Sequence, residues 1–189
     1  DMEEVITLPT DFFSKLYIEN ASMAGFQPGE QVRLKDLLYG MLLPSGAECC
    51  LAFCERSAGS EEAFVRLMNQ KAGELGLENT HFCNSTGLHD SEHYSTVKDI
   101  SALLQYALKN ETFRAAFTSS QYSTLPSEQH PKGFTFYSTM FECMESTKFT
   151  GGKIIGGKTG YTKEAGCWRI RGVRQRFSLQ RPACRILLL

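Results

Sequence analysis

Two short segments carry the residue types that could do chemistry. Residues 157–161 (Gly-Lys-Thr-Gly-Tyr) place a cation beside a hydroxyl in a glycine-rich stretch, and residues 43–47 (Leu-Pro-Ser-Gly-Ala) place another hydroxyl at a chain break. A neighbouring cation and hydroxyl can hold a carboxylate through charge-assisted hydrogen bonds. Taken alone, Lys158 could be a solvated strand lysine, Thr159 an ordinary strand residue and Ser45 the cap of the following helix.

Helical patterns predict the break that holds Ser45. Residues 36–43 predict a short apolar helix, which Pro44 ends because proline biases the preceding residue away from helical geometry. Residues 48–56 predict a second helix that ends near Gly59. Ser45 is therefore expected to lie between two helices.

Further elements follow from the same kind of pattern. Ser60, followed by two glutamates, is typical of a helix N-terminus. Ser95 or Thr96 is expected to cap another helix, with an apolar face over residues 100–108. Residues 153–160 predict a glycine-rich strand, where glycine often marks close approach of a ligand or another backbone. The strand-like pieces lack the partners of a complete sheet, and such open edges argue for missing sequence.

Length and composition indicate one ordinary soluble domain. The chain has 189 residues, of which 42% are hydrophobic and 22% are charged, as is typical of globular proteins. No stretch is long and apolar enough to span a membrane, and no signal peptide opens the chain. The first four residues look like a cut into the middle of a longer protein.

The last 23 residues differ in composition from the rest. Residues 167–189 hold six arginines without lysine or acid, whereas the preceding part holds 14 basic and 21 acidic residues. A basic arm for nucleic acid or anionic lipid, a solvated tail and a frameshifted read-through are the alternatives. We favour the read-through because the change is abrupt. We therefore predict a domain over residues 1–166 and an atypical, frameshifted or disordered tail over 167–189, without nucleic-acid binding.

The cysteines and histidines do not indicate a metal site or a cofactor. The seven cysteines show no paired C-x-x-C spacing, and the four histidines show no H-E-x-x-H pattern. Cys50 and Cys54 share a helix face, where small buried hydrophobes are favoured over metal ligands.

From about residue 4 to 166 the chain resembles the low-molecular-mass penicillin-binding proteins, the serine D-alanyl-D-alanine carboxypeptidases. Lys-Thr-Gly is one of the short motifs that these proteins share with serine β-lactamases. The matching stretches occur in the family's order: 26–30, 37–46, 58–64, 67–69, 74–77, 80–82, 86–88, 94–96 with Asp99, and 157–161.

The resemblance implies an activity and a set of residue roles. Enzymes of this family remove the terminal D-Ala from peptidoglycan stem peptides through a serine-bound acyl-enzyme. Lys158 and Thr159 would hold the terminal carboxylate of the substrate, and Gly160 would leave room for its backbone. The backbone N–H of Tyr161 would be an oxyanion donor, and Ser45 would be the catalytic serine of the second motif, which relays protons towards the leaving amine.

The resemblance also implies a fold, partners and a location. The fold would be α/β (α+β) of the β-lactamase and transpeptidase type, with a helical cluster packed on an antiparallel sheet that is incomplete in this sequence. The partners would be a stem peptide ending in D-Ala-D-Ala and β-lactam antibiotics, without a cofactor. The location would be extracytoplasmic, with signal peptide and membrane anchor outside this chain.

Two departures from the family pattern bear on activity. The second motif normally reads Ser-x-Asn, but position 47 is Ala47. The Ser-x-x-Lys nucleophile motif normally precedes the second motif, but the chain has this pattern only at residues 95–98. We interpret Ser95 as a helix cap, and we expect the chain alone to be inactive.

Two alternatives stay open beside the carboxypeptidase. A class A β-lactamase would carry a Glu-x-x-x-Asn loop between the second and third motifs, which we do not find. A pseudoenzyme or dead fragment could still bind D-Ala-D-Ala termini through Lys158 and Thr159.

Overall fold

A computed structural model describes residues 1–150, 152–164, 166–175 and 184–188 of the chain. The helices are α1 (Asp11–Ile18), α2 (Leu34–Leu42), α3 (Ala47–Ala58), α4 (Glu61–Glu74), α5 (Val97–Ala107), α6 (Glu111–Phe117) and α7 (Thr139–Glu142). The strands are β1 (Val5–Thr7), β2 (Gln31–Arg33), β3 (Gln121–Ser123), β4 (Thr135–Tyr137), β5 (Lys148–Phe149), β6 (Gly152–Thr162), β7 (Gly166–Gln175) and β8 (Cys184–Leu188).

The two helices predicted around Ser45 are confirmed, with shifted ends. α2 begins earlier than predicted because Asp36 completes a capping box, in which its carboxylate accepts the Arg33 N–H at 3.3 Å. α3 ends where Gly59 takes the left-handed conformation, with φ of 80°. Ser45 lies in the four-residue break between these helices.

The side-chain caps of α4 and α5 show which polar residue starts each helix. Ser60 Oγ accepts the Ala63 N–H at 3.1 Å, as predicted. For α5 the cap is Thr96, whose hydroxyl accepts the Asp99 N–H at 3.2 Å. The interpretation of Ser95 as the cap is therefore wrong, and its hydroxyl instead bonds the Thr80 hydroxyl at 2.8 Å.

The strands form three antiparallel groups. β1 pairs with β2, β3 pairs with β4, and a four-stranded sheet has the order β5-β6-β7-β8. In that sheet Lys158 of β6 is in register with Ile170 of β7, and a bulge interrupts the pairing between Ile154 and Gly156. Beyond Lys153 the other edge of β6 has no strand partner among the described residues, because β5 pairs only with Gly152 and Lys153.

The main apolar core joins the first part of the chain to the hairpin of β3 and β4. Its buried members are Leu8, Phe13, Phe26, Val32, Leu37, Leu43, Cys49, Ala52 and Phe136. Phe26 packs edge-on against Phe134 and Phe136, with ring centroids 5.1 and 5.7 Å apart. α1 was not predicted from the sequence, yet it contributes Phe13 to this core. The core therefore fixes α2 and α3, and with them the turn that carries Ser45.

The observed architecture confirms the predicted fold class, in which helices pack on an antiparallel sheet. α6 and α7 contact β6, so the sheet strand with Lys158 is held against the helical part. Buried Cys49 and Cys54 behave as small core residues, and Cys50 is partly buried. Among the described residues, no helix combines the length and apolar character that a bilayer crossing needs.

The Arg-rich tail lies only partly within the described residues. Its backbone forms part of β7 and all of β8, whereas 176–183 and 189 lie outside the description. A domain boundary at residue 166 and a frameshifted or disordered origin of the tail stay predictions.

Candidate active site

The turn between α2 and α3 holds Ser45 in an uncommon backbone conformation. Ser45 has φ of 67°, in the left-handed region that costs a non-glycine residue free energy. Backbone bonds fix the next two residues, because Gly46 N–H donates to Gly40 O at 2.9 Å and Ala47 N–H donates to Ser22 O at 2.8 Å. The rest of the structure therefore imposes the direction in which the Ser45 hydroxyl points.

Close backbone approach explains the glycine after Ser45. A Cβ atom at Gly46 would lie 2.6 Å from the Ala24 Cβ and 3.0 Å from Glu48 Oε2. The segment that contains Ala24 therefore packs directly against the turn, and a side chain at position 46 would push it away.

Glu48 ties the same segment to α3. Its Oε1 accepts the N–H groups of Ala24 at 2.7 Å and Gly25 at 2.9 Å. The side chain is fully buried, and Oε2 has no hydrogen-bond partner in the described part of the chain. Burial raises the pKa of this carboxyl above its ordinary value, although the backbone donors oppose the shift.

β6 brings Lys158 to the Ser45 turn from 113 residues further along the chain. Lys158 Nζ donates to Ser45 Oγ and, at 2.6 Å, to the carbonyl oxygen of Thr159. Burial lowers the pKa of the Lys158 ammonium, because no described carboxylate pairs with it to favour the charged form. Cys50 lies close enough to oppose this shift slightly, and burial raises its own thiol pKa to about 12.

Thr139, at the start of α7, connects the two predicted motifs and was missed by the sequence analysis. Its hydroxyl lies 2.6 Å from the Thr159 hydroxyl, and its N–H donates to Leu43 O at 3.2 Å. A single threonine in a stretch that is mostly aromatic and apolar carries no signal in the sequence, since only the fold places it between residue 43 and β6.

These residues line one cleft of about 720 Å³. Its lining comprises Asn20, Ala21, Ser22, Pro44, Ser45, Ala47, Thr86, Gly87, Leu88, Thr139, Cys143, Lys158, Thr159, Gly160, Tyr161 and Thr162. A Cβ at Gly160 would meet no described atom within 4 Å, so the backbone beside it is open to the cleft. Tyr161 is 71% exposed at the rim. The structure thus brings together all five residues that the sequence analysis selected.

The other serine and the histidines considered in the sequence lie elsewhere. Ser95 and the four histidines do not line this cleft, and His130 Nδ1 instead lies 2.8 Å from buried Glu30 Oε1. A larger cavity of about 860 Å³ lies between α6 and β6, but its described lining joins no hydroxyl to a buried base. Within the described residues, no group of three acidic, histidine or cysteine side chains could hold a metal ion.

Known proteins resemble the chain in both sequence and structure. Residues 1–176 match the family model described as D-alanyl-D-alanine carboxypeptidase. D-alanyl-D-alanine carboxypeptidase DacF of Bacillus subtilis is 41% identical over 149 residues, which cover 77% of this chain and 36% of that protein. The D-alanyl-D-alanine carboxypeptidase of a Streptomyces species is 29% identical over 177 residues, covering 87% of this chain and 58% of that protein.

A solved structure agrees over the whole chain. The crystal structure of a Streptomyces DD-transpeptidase superposes with a TM-score of 0.82 at 25% identity, covering 100% of this chain and 72% of that one. The chain therefore shares its fold with that transpeptidase, while it spans less than two thirds of the length of either carboxypeptidase above.

Proposed function

The chain belongs to the family of D-alanyl-D-alanine carboxypeptidases, and on this premise we propose that the whole protein is a serine carboxypeptidase acting on peptidoglycan. Its substrate is a stem peptide ending in D-Ala-D-Ala, from which it releases the terminal D-Ala through an acyl-enzyme. The observation that carries this proposal is the convergence of Ser45, Lys158 and Thr159 on one cleft.

The charge and the hydroxyls of the cleft suit a terminal carboxylate. Lys158 is the charged side chain among the described residues that line the cleft, and the Thr159 and Thr139 hydroxyls lie beside it. An ammonium and a hydroxyl bind a carboxylate through charge-assisted hydrogen bonds, which are stronger than neutral ones. β-Lactam antibiotics would use the same groups, because they imitate the substrate.

Contact between Ser45 and Lys158 suits a proton relay. In this role Ser45 accepts a proton from Lys158 and passes its own proton to the leaving amine, which must be protonated to depart. Open space beside Gly160 leaves room for an extended peptide. Tyr161 lines the same cleft, and in this proposal its backbone N–H acts as an oxyanion donor.

A second candidate function is a non-catalytic module that binds D-Ala-D-Ala termini. Ala47 favours it, because this residue lines the cleft with a methyl group where the family pattern has a carboxamide. This candidate predicts binding of the peptide without release of D-Ala.

Release of D-Ala from an acetylated tripeptide ending in D-Ala-D-Ala tests the proposal on the whole protein. We expect Lys158→Ala to lower kcat/KM by at least about 100-fold, as expected for loss of a group that contacts the reacting centre. Lys153→Ala is the matched control, because Lys153 is an exposed lysine on the same strand. Binding of the tripeptide without D-Ala release would support the second candidate, and neither binding nor release would reject both.

The location proposed for the whole protein is outside the cytoplasmic membrane, where peptidoglycan is exposed. Fractionation of cells that express the whole protein would check this location.

A further inference from the structure

Ser45 and Lys158 are side chains of the types that form a nucleophile and its general base. Lys158 Nζ and Ser45 Oγ are hydrogen-bonded, and the lysine is partly buried without a carboxylate partner among the described residues. A serine next to a lysine that can lose its proton is an established arrangement for activating a hydroxyl. When Lys158 is neutral, the same contact runs in the opposite direction, and the hydroxyl donates to Nζ.

Backbone geometry adds a second, independent observation. Ser45 occupies the left-handed region with φ of 67°, two residues before the first residue of α3. Strained turns that lead into a helix expose nucleophilic serines in other hydrolases, because they push the hydroxyl out of the chain. The positive end of a helix also stabilises developing negative charge within its first turn.

We propose that Ser45 and Lys158 form a serine–lysine pair in which Ser45 itself accepts the acyl group of an activated, uncharged ester. This activity goes beyond the proposed carboxypeptidase, in which Ser45 only relays a proton. It requires no residue outside the described part of the chain.

The acylation of Ser45 needs only the serine–lysine pair and the ester. Ser45 Oγ attacks the ester carbonyl carbon while its proton moves to Lys158 Nζ. The bond between the carbonyl carbon and the leaving oxygen then breaks, and the alkoxide or phenolate departs with the electron pair. The products are acyl-Ser45, the Lys158 ammonium and the leaving anion, and the ammonium later returns its proton to water.

The charge of the molecule in the cleft decides whether Lys158 binds it or acts as a base. A carboxylate in the cleft pairs with the Lys158 ammonium, so that the lysine holds the ligand and does not act as a base. An uncharged ester leaves Lys158 free to deprotonate Ser45. We therefore expect D-Ala-D-Ala peptides to inhibit the acylation of Ser45 by neutral esters.

The test is acetylation of the full chain by p-nitrophenyl acetate, followed by intact-mass spectrometry and peptide mapping. A Cys143→Ala background is used, because the exposed Cys143 thiol lines the cleft and would compete. We expect one acetyl group on Ser45, with a rate lowered about 100-fold or more by Lys158→Met, as expected for loss of a general base.

Two serine variants keep the test independent of folding. Ser45→Gly removes the hydroxyl and accepts φ of 67° without strain, so it should fold and show no acetylation at position 45. Ser95→Ala is the matched control, because Ser95 lies outside the cleft, and it should label like the unsubstituted chain.

The outcomes separate this inference from the proposed function. Acetylation of Ser45 that depends on Lys158 supports the pair. No acetyl group on Ser45, or an equal rate in Lys158→Met, overturns it even if D-Ala-D-Ala peptides bind. Acetylation of Ser45 that D-Ala-D-Ala peptides do not inhibit supports the pair and speaks against the proposed recognition of the carboxylate.

Discussion

Thr139 links the segment before Ser45 to strand β6 through its hydroxyl and its backbone N–H. The hydroxyl lies 2.6 Å from Thr159 Oγ1 and 3.4 Å from the Leu43 carbonyl oxygen. If Thr139 donates to the Leu43 carbonyl, its oxygen accepts a hydrogen bond from the Thr159 hydroxyl. If Thr159 points its proton at a bound carboxylate instead, Thr139 can donate to Thr159. Thr139 is therefore a positioning residue for the hydroxyl that we assign to substrate binding.

Replacing Thr139 by valine tests this role with almost no change of shape. We expect Thr139→Val to weaken binding of a D-Ala-D-Ala peptide by about 5- to 30-fold, the equivalent of one hydrogen bond of about 1–2 kcal/mol. Thr139→Ser keeps the hydroxyl and should restore most of the affinity. Calorimetric titration of both variants measures the difference, and equal affinities would show that the hydroxyl does not act on Thr159.

Glu48 shows how α3 positions the turn, and its carboxyl gives this element a pH dependence. The folded chain raises the pKa of Glu48 above its ordinary value of 4.5, mainly because the side chain is buried. Between the ordinary and the raised value, the folded chain binds more protons than the unfolded chain. The free energy of unfolding therefore falls as pH rises through this range.

The variant Glu48→Gln removes the titration and nearly keeps the shape. We expect the stability of the unsubstituted chain, relative to Glu48→Gln, to be greatest below pH 4.5 and to decline as pH rises. Urea unfolding at a series of pH values measures this difference. Glu128→Gln, on an exposed side chain, is the control. A difference that increased with pH would mean that the folded chain favours the charged carboxylate.

The start of α5 shows which of two neighbouring hydroxyls, Ser95 or Thr96, caps the helix, which the sequence alone could not decide. Thr96 accepts the Asp99 N–H, whereas the exposed Ser95 bonds only the Thr80 hydroxyl among the described residues. Loss of a helix cap costs about 1 kcal/mol, so Thr96→Ala should lower the free energy of unfolding by about this amount. Ser95→Ala should change it by less than about 0.5 kcal/mol, as is usual for surface substitutions. Chemical denaturation that ranked the two variants the other way would contradict the observed cap.

Sequence patterns could predict elements that carry their own local signal. The break at Pro44, the cap at Ser60 and the helix end at Gly59 are each decided by a few neighbouring residues, and the structure has them where they were predicted. Helix α1 lacked such a signal, because Thr10 makes no side-chain cap bond at its start and its core residue Phe13 packs with distant partners. Local chemistry thus sets element ends, while tertiary packing decides whether a short segment becomes helical.

The assembly of the site depends on contacts that no local pattern contains. Ser45 and Lys158 are 113 residues apart, and their meeting requires both the packing of α2 with α3 and the placement of β6 against α7. The resemblance to a known family predicted this meeting, since the spacing of the residues alone could not. Thr139 belongs to no motif that we used, and therefore it became visible only in three dimensions.

The main core connects these distant parts, because it gathers residues from β2, α1, α2, α3 and β4 into one cluster. Leu37 belongs to this cluster and has no exposed surface, whereas Leu125 is 58% exposed on a loop. Leu37→Ala should lower the free energy of unfolding by about 2–5 kcal/mol, through lost burial and the cavity left behind. Leu125→Ala removes the same atoms outside the core and should cost less than about 0.5 kcal/mol.

Hydrogen exchange can show whether the packing lost in Leu37→Ala also loosens the turn that carries Ser45. If the core positions the Ser45 turn, Leu37→Ala should speed amide exchange in α3 as well as in α2, while Leu125→Ala should change neither. The physical reason is that Leu37 and the α3 residues Cys49 and Ala52 belong to the same buried cluster. Faster exchange confined to α2 would mean that α3 and the Ser45 turn are held by other contacts, foremost the bonds of Glu48 to Ala24 and Gly25.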